Sequence, residues 1–411
     1  MYHLPLGILG PAVLWFGSTS YGNVSMTSDA NSKVDSLLEH EFPIEASHDP
    51  AVIYLNHAAV APWPRRTERA VTAFAQECCH TGAQHYPRWV EVESRLRQGL
   101  ADLIHAPATD DVALLKSTSE ALSVVAHGFP WNKGDNVVFC EQEFPSNRIV
   151  WESLQRYGVE TRKIALGTDP EASLQDAVDV NTRLLAVSTV QYASGLRMDL
   201  QRLGEFCRRK SIAFCVDAIQ GLGILPHDVE AMHIDFLMAD GHKWLLGPEG
   251  LSLFYCSSRW RQRLTLHEYG WHMINNPSDF DQTDWRPAES AMRFECGSPN
   301  MLGIMALDAS LDLIHEIGIN TIQARIQERT DYLIDRIVRH EALELITNPD
   351  PQRRAGIVTF RHARLDADHV FETLKKKNVV CAQRAGGIRL SPHCYTRTQT
   401  LDRALDIIEG L

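Results

Sequence analysis

Apolar runs alternate with segments of helical spacing along most of this chain. The runs at Asn136–Cys140, Arg183–Val190 and Phe214–Asp217 are short and rich in apolar residues, a pattern typical of strands buried on both faces of a sheet. In Pro87–His105 the apolar residues instead recur every three or four positions, which predicts an amphipathic helix. Strands separated by helix-length segments predict an α/β fold, with a mostly parallel sheet that helices cover on both sides.

The pattern changes after Leu302. Two long amphipathic helices are predicted at about 302–317 and 319–340. They are followed by a short strand at 356–360, a helix near 367–377, short strand-like runs at 379–381 and 387–393, and a last helix from about 398 onward. This order indicates a small α+β domain. We therefore predict an N-terminal extension and lead-in segment at 1–50, a large domain at 51–315 and a small C-terminal domain at 316–411.

Composition and charge narrow the classes of protein that fit the chain. A chain of 411 residues is too long to fold around a single hydrophobic core of ordinary size, which favours two domains. Its content of 44% hydrophobic and 22% charged residues is that of a soluble globular protein. The formal net charge of −12 argues against nucleic acid as a partner, because such binders carry basic patches. A small soluble substrate is therefore expected.

The nine cysteines are scattered and form no CxxC pair and no zinc-like cluster, so no metal site is predicted. Cys140, Cys215 and Cys256 lie in apolar runs, where a free cysteine behaves as a small buried hydrophobe. An odd, scattered set of this kind favours a reducing compartment over a disulfide framework.

Residues 1–25 are apolar and contain neither Lys nor Arg. A secretory signal needs a positive first segment, and this stretch is too short and too broken by Gly and Pro to span a bilayer. Met26 is a candidate start of the mature chain. We expect a cytoplasmic protein with no membrane partner.

The stretch at 214–256 carries the most specific chemistry of the chain. An apolar strand ends in Asp217, a loop carries Gln220, and a second strand runs into Asp240-Gly241-His242-Lys243. An acid and a lysine at the ends of two adjacent buried strands suit a cofactor with a basic ring nitrogen and an aldehyde. Pyridoxal 5′-phosphate (PLP) is such a cofactor.

This stretch resembles the class V aminotransferase family, which includes cysteine desulfurases, kynureninases and isopenicillin N epimerase-like enzymes. The resemblance covers roughly residues 50–411. It implies the PLP-dependent transferase fold of type I, with a large domain on a seven-stranded type of sheet. It also implies that Asp217 pairs with the ring nitrogen, Gln220 bonds the ring hydroxyl and His242 contacts the phosphate. Lys243 would bind the aldehyde and then act as the base at Cα.

A second motif follows the strand that begins near Asp111. That strand runs into Ser117-Thr118-Ser119, where a helix begins at once, so free backbone N–H groups and hydroxyls converge on a site suited to a phosphate. The alternative is an ordinary Ser/Thr N-cap. The resemblance matches the run to the family's phosphate loop, which implies Thr118 and Ser119 as phosphate ligands. Asp240 departs from the family, because desulfurases carry a phosphate-binding serine there.

The resemblance also implies a homodimer with shared active sites. Ser298, within Glu295–Asn300, stands where the family has a threonine that reaches the phosphate bound by the neighbouring subunit. Phe144, followed by proline, stands where the family places a ring on the cofactor face. Desulfurases use histidine there, whereas kynureninase-like members use Phe-Pro. Phenylalanine fixes a ring plane, but it moves no proton.

Four further residues are predicted to face the substrate or the ring. Gln191 and Tyr192 follow a strand whose carboxyl end points to the cofactor in the family, although Ser-Gly beyond them also fits a plain turn. Asn56 and His57 begin a loop that lies against the substrate carboxylate in the family. The alternative is a strand and a turn, with His57 as a cap.

Arg389 is the predicted substrate-carboxylate ligand. It lies on a strand before Ser-Pro-His, where the family keeps its carboxylate-binding arginine. Arginine suits that role because its guanidinium binds a carboxylate in bidentate fashion.

We predict a PLP-dependent enzyme acting at the Cα of an amino acid, by transamination or by kynureninase- or C–S-lyase-type cleavage. Cysteine desulfurase, selenocysteine lyase and amino-acid epimerase rank lower. Desulfurases place a nucleophilic cysteine on a loop shortly before the carboxylate-binding arginine, and only Cys381, in an apolar run, is near Arg389 here. A non-catalytic binding protein of the same fold is the alternative from another class, and the intact Asp217 and Lys243 argue against it.

Overall fold

The structure is a computed structural model that describes residues 28–46 and 52–411. The predictions for residues 1–25 therefore lie outside the described residues. In the described part, no helix has the length and apolar character needed to cross a membrane.

The described residues form thirteen strands, most of them short. They are β1 Ile53–Tyr54, β2 Val112–Leu115, β3 Asn136–Cys140, β4 Glu160–Ile164, β5 Thr182–Ser188, β6 Ala213–Asp217, β7 Phe236–Asp240, β8 Ser252–Cys256, β9 Leu343–Leu345, β10 Val358–His362, β11 Val379–Val380, β12 Ala382–Arg384 and β13 Gly387–Leu390.

Thirteen α-helices connect and cover these strands within the same residues. They are α1 Ser28–Glu41, α2 Pro43–Ala46, α3 Arg65–His80, α4 Tyr86–Leu103, α5 Thr118–Gly128, α6 Ser146–Glu152, α7 Pro170–Asp176, α8 Leu200–Lys210, α9 Ser258–Arg261, α10 Met301–Ile317, α11 Ile319–Arg339, α12 Ala367–Lys376 and α13 Thr398–Glu409.

The large sheet has seven strands in the order β2-β8-β7-β6-β5-β3-β4. Strands β3 to β7 run parallel, while β8 is antiparallel to both of its neighbours. Successive residues of the central strands face two separate cores. Val216 and Leu237 lie in one core, and Cys215 and Met238 lie in the other. Because both faces are buried, the strands are continuously apolar, and the predicted α/β fold with a mostly parallel sheet is confirmed.

The C-terminal part has its own sheet and its own core. Strands β12, β13, β10 and β9 form a four-stranded antiparallel sheet in that order. Strand β1 pairs with β11 in parallel, and Ile53 and Leu55 lie in the C-terminal core. The predicted division at residues 315 and 316 stays a prediction. The pairing of β1 with β11 places the loop that follows β1 beside the C-terminal sheet.

Three neighbouring strands of the large sheet end at the same edge. Ser188 ends β5, Asp217 ends β6 and Asp240 ends β7, and Ser188 is the register partner of Asp217. Open α/β sheets bind ligands at the carboxyl ends of their strands. The strand ends at Asp217 and Asp240, which were predicted from the sequence, therefore meet at one edge of the fold, together with Ser188.

Candidate active site

Asp217 and Lys243 lie in one buried region at the ends of β6 and β7. Asp217 is 1% exposed, and its Oδ1 accepts a hydrogen bond from the Ile219 N–H at 3.0 Å. Burial raises the pKa of the Asp217 carboxyl, and Lys243 opposes this shift. Burial lowers the pKa of Lys243, and Asp217 again opposes the shift. Neither group is in an ion pair in the described part of the chain, so the buried acid lacks a close counter-charge.

Phe144 presents a ring beside the lysine. The Lys243 Nζ lies 5.6 Å from the centroid of the Phe144 ring. Tyr192 packs edge-on against that ring, with centroids 5.2 Å apart and an interplanar angle of 82°. Phe144 is 40% exposed, so part of its surface is open. This arrangement provides an aromatic surface next to an amine, which suits a planar ligand that binds the amine.

Glu143 was not predicted from the sequence as a site residue. Its carboxylate accepts hydrogen bonds from the Ser188 N–H at 2.8 Å, from the Ser188 hydroxyl and from Gln191 Nε2 at 2.9 Å. It is buried, and burial raises the pKa of its carboxyl. Glu143 thereby ties the loop of Phe144 to the end of β5. The available signal was an acidic residue directly before the ring, after a buried strand.

The predicted phosphate ligands lie at the start of α5, where Asp240 joins them. The Thr118 N–H donates to Asp240 Oδ1 at 2.5 Å, and the Thr118 hydroxyl lies 3.2 Å from the same oxygen. Ser119 is exposed, and its hydroxyl donates to Ser146 Oγ at 2.8 Å. His242 Nδ1 lies 3.6 Å from Asp240 Oδ2. The helix start is therefore partly occupied by a carboxylate.

Arg389 is a buried cation without an acidic partner among the described residues. It is 2% exposed, its Nη1 donates to the Tyr192 carbonyl at 2.8 Å, and its Nη2 lies 3.5 Å from Asn56 Oδ1. Its Nε makes no hydrogen bond. Burial, together with the nearby Arg384, lowers the pKa of Arg389 to about 10. A buried guanidinium with neutral neighbours is suited to bind a carboxylate.

His57 has no ring nitrogen left for the predicted contact with substrate. Its Nδ1 lies 2.7 Å from the Ser391 carbonyl and therefore donates, and its Nε2 accepts from the Tyr395 hydroxyl at 2.6 Å. Burial lowers the pKa of His57 to about 4. His57 is therefore uncharged near pH 7, and its two hydrogen bonds connect its loop to the chain after β13. This role resembles the alternative prediction, in which His57 caps a turn.

Of the other predicted cofactor ligands, Gln220 is buried and Ser298 is exposed. Gln220 is buried, its Nε2 donates to the Ala58 carbonyl at 3.0 Å, and its Oε1 accepts from Trp244 Nε1 at 2.9 Å. One hydrogen of its Nε2 remains for another acceptor. Ser298 is exposed and makes no hydrogen bond with the other site residues in the described part of the chain. Its predicted role concerns a second subunit.

A sequence model of one protein family matches most of the chain. The model for "Aminotransferase class-V" matches residues 53–402. The chain belongs to the class V aminotransferase family. It is accordingly a PLP-dependent protein of fold type I, as the sequence predicted.

Curated relatives of this class V protein carry one recurring name. A probable cysteine desulfurase of Methanothermobacter thermautotrophicus is 28% identical over 401 residues, which cover 91% of this chain and 98% of the relative. A cysteine desulfurase of Yersinia pestis strain Pestoides F is 31% identical over 306 residues, covering 73% and 72%. Relatives of that name favour the desulfurase alternative over the transaminase prediction.

Solved structures agree with the fold. The apo structure of cysteine desulfurase from Thermococcus onnurineus NA1 has a TM-score of 0.82 at 22% identity, covering 91% of this chain and 96% of that chain. A C-DES mutant with glycine covalently linked to its PLP cofactor has a TM-score of 0.83 at 21% identity, covering 91% and 99%. The cystine C–S lyase C-DES, in complex with its product cysteine persulfide, has a TM-score of 0.81 at 21% identity, covering 88% and 98%.

The residues present fit the cofactor of this family. Asp217 is a buried acid that lacks a close counter-charge, and Lys243 is a buried amine beside an open aromatic ring. The Nδ1 of His242 and the Oε1 of Gln191 are buried polar atoms without hydrogen-bond partners. Buried polar atoms of this kind cost free energy unless a ligand satisfies them.

Proposed function

We propose that this class V protein is a PLP-dependent lyase that cleaves the carbon–sulfur bond of cysteine or of its disulfide, cystine. One structural observation carries the proposal of an amino-acid substrate. The buried guanidinium of Arg389 has no acid partner among the described residues, and its charge acts on Lys243. The names of the curated relatives support sulfur as the leaving atom.

The cofactor is proposed to lie between the strand ends and Phe144. Lys243 would bind its aldehyde, Asp217 would accept the ring N–H, and Phe144 would cover one face of the ring. The start of α5, with Thr118 and Ser119, would hold the phosphate. When bound, PLP withdraws electrons from the Cα of the substrate and so makes its proton easier to remove.

Arg389 is proposed to orient the substrate by its carboxylate. Its Nε, which makes no hydrogen bond, and a second N–H would form a bidentate pair, while the Tyr192 carbonyl and Asn56 Oδ1 accept from Nη1 and Nη2. Lys243 is proposed to accept the Cα proton of the substrate held in this way. Burial lowers the pKa of Lys243, which increases its uncharged fraction and favours its action as the base.

The hairpin of β12 and β13 supports a proposal for the fate of the sulfur. Arg384 and Gly387 are register partners, so the hairpin closes in two residues, Ala385 and Gly386, with positive φ angles of 52° and 72°. This two-residue turn contains no cysteine, so it brings no thiol toward Arg389. The nearby Cys381 is buried, and burial raises its pKa to about 12.

Without an enzyme thiol at this place, elimination is the favoured route. Cysteine and water would give pyruvate, ammonia and hydrogen sulfide, whereas cystine and water would give pyruvate, ammonia and cysteine persulfide. Lys243 removes the Cα proton, and the electron pair of that C–H bond expels the sulfur from Cβ.

Cysteine desulfurase is the second candidate, and the names of the relatives favour it. That reaction leaves alanine and transfers the sulfur to a thiol. Transamination, the first prediction from the sequence, has less support than either route.

Product analysis separates these reactions. The holoenzyme is incubated with cysteine and, separately, with cystine, and pyruvate, ammonia, alanine and sulfide are measured. We expect pyruvate and ammonia in equal amounts. Alanine without pyruvate would instead favour the desulfurase, and conversion of the cofactor to its amine form would favour a transaminase.

Two variants test the residues. Arg389→Lys is expected to raise the KM for the substrate because it loses the bidentate geometry. Arg361→Lys is the matched control, since Arg361 is exposed and pairs with Glu344. Equal kinetics of the two variants would contradict the role given to Arg389.

A further inference from the structure

The start of helix α5 is shared between a carboxylate and free N–H groups. The first N–H groups of a helix have no partner within the helix. Asp240 binds the Thr118 N–H, and the Ser117 hydroxyl accepts the Glu120 N–H at 3.2 Å. The N–H of Ser119, between them, has no acceptor among the described residues. A phosphate held by Ser119 would therefore lie beside the Asp240 carboxylate.

The groups that face Asp240 offer it little positive charge. From α5 it meets only the N–H and hydroxyl of Thr118, and from β8 the hydroxyl of Ser252. Lys243, in the loop after β7, favours the anion without forming an ion pair with it, and Asp217, at the end of β6, is a second acid. No arginine pairs with Asp240 in the described part of the chain.

His242 does not supply the missing charge. Burial and the charge of Lys243 lower the pKa of His242 to about 4, so its ring is neutral near pH 7. Its Nδ1 is buried without a hydrogen bond and lies 3.6 Å from Asp240 Oδ2. Burial also raises the pKa of the Asp240 carboxyl. An ionised phosphate next to this acid would bring like charges together in a partly desolvated place.

One proton between the two acids removes this conflict. A protonated carboxyl has one O–H donor, which can bind a phosphate oxygen, while its other oxygen still accepts the Thr118 N–H. We propose that Asp240 is a ligand of the cofactor phosphate in its protonated form, so that PLP binding takes up one proton from solvent at this contact. This inference rests on the phosphate position given under the proposed function.

The consequence is a cofactor affinity that depends on pH through Asp240. Free Asp240 is ionised at alkaline pH and the bound form holds a proton, so the affinity for PLP falls as the pH rises. Linkage makes this fall about tenfold per pH unit for one proton. Lys243 and the phosphate also titrate and contribute to the pH dependence of PLP affinity. The contribution of Asp240 is therefore measured as the difference in that pH dependence between the wild type and variants of Asp240.

Calorimetry measures the proton directly. PLP is titrated into the cofactor-free full-length chain at about pH 8, in two buffers with different heats of ionisation. We expect the wild type to take up about one proton more than Asp240→Ser or Asp240→Asn. We also expect the ratio of wild-type to variant Kd to grow about tenfold from pH 8 to pH 9. Asp240→Asn keeps an acceptor for Thr118 and so preserves the local fold.

Two controls isolate the phosphate. Pyridoxal, which lacks it, should show the same proton count with the wild type and with both variants. Asp312→Asn, at an exposed acid of α10, should behave as the wild type with PLP. Equal proton uptake by the wild type and both Asp240 variants would overturn the inference. A holoenzyme that binds PLP with this proton linkage but releases no sulfur would instead contradict the proposed function alone.

Discussion

The amino nitrogen of Lys243 lies 5.6 Å from the centre of the Phe144 ring. Phe144 follows β3 and Lys243 follows β7, so residues beyond two separate strand ends bring an aromatic ring and an amine together. Tyr192 packs edge-on against Phe144, and its carbonyl accepts a hydrogen bond from Arg389. The proposed cofactor face and the proposed carboxylate site are thus connected through Tyr192.

Replacement of Phe144 should weaken cofactor binding. Because a stacked aromatic pair is worth about 0.5–1.5 kcal/mol, Phe144→Ala is expected to raise the Kd for PLP by roughly two- to tenfold. Absorbance titration of the cofactor-free chain measures this. Phe280→Ala is the matched control, since Phe280 is 79% exposed. An unchanged Kd in Phe144→Ala would mean that the ring does not cover the cofactor.

Asp217 should make the cofactor-free form less stable as the pH rises. Its folded pKa lies above its ordinary value of 3.8, so the folded chain holds this proton more tightly than the unfolded chain. The stabilisation is complete below the unfolded pKa and is lost as the pH rises through the folded pKa. Thermal unfolding between pH 4 and 8 should therefore show a steeper loss for the wild type than for Asp217→Asn. Parallel curves for the two proteins would contradict this assignment.

The same variant should lose activity when the cofactor is present. Asp217→Asn keeps the shape of the side chain but removes the anion that we propose to accept the ring N–H. We expect the rate of sulfur release to fall by about 100-fold or more. Retention of PLP, measured by absorbance, shows that the loss lies in the chemistry and not in binding. A rate within twofold of the wild type would exclude the role given to Asp217.

Tyr395 should contribute to stability through His57. Tyr395→Phe removes the hydroxyl that donates to His57 Nε2 and leaves a buried nitrogen without a partner. The expected cost is about 1–3 kcal/mol in the free energy of unfolding, read from denaturant curves. Tyr157→Phe, at a half-exposed ring, serves as the comparison and should change little. If both variants change the free energy of unfolding by the same amount, the hydrogen bond between Tyr395 and His57 does not stabilise the fold.

Cys381 should be dispensable for sulfur release. It is buried and its pKa is raised to about 12, so it has almost no thiolate at neutral pH. Cys381→Ala should retain at least about half of the wild-type rate, after a check of folding by circular dichroism. A loss of tenfold or more in a folded variant would indicate a persulfide on this cysteine, and with it a desulfurase mechanism.

Much of the fold was predictable because local patterns carry it. The apolar runs that became β3 and β6 were found from their composition, since strands buried on both faces have no polar positions. The pairing of β1 with β11 was not found, because it joins residues more than 300 positions apart and two-residue strands have no periodicity of their own.

The site was predicted less completely than the fold. The sequence shows which polar residues follow the strands, but it does not show which hydrogen bonds their side chains make. The contact of Thr118 with Asp240 spans 122 positions, and that of His57 with Tyr395 spans 338. Such contacts decide whether a polar atom is free for a ligand. The roles of these residues therefore remain predictions for experiment.

The most direct test of the account is the position of the cofactor on the chain. The holoenzyme is reduced with borohydride, digested and mapped by mass spectrometry. We predict one pyridoxyl group, on Lys243, and its loss in Lys243→Ala. A reduced adduct on another lysine, such as the exposed Lys116, with Lys243 unmodified, would contradict it.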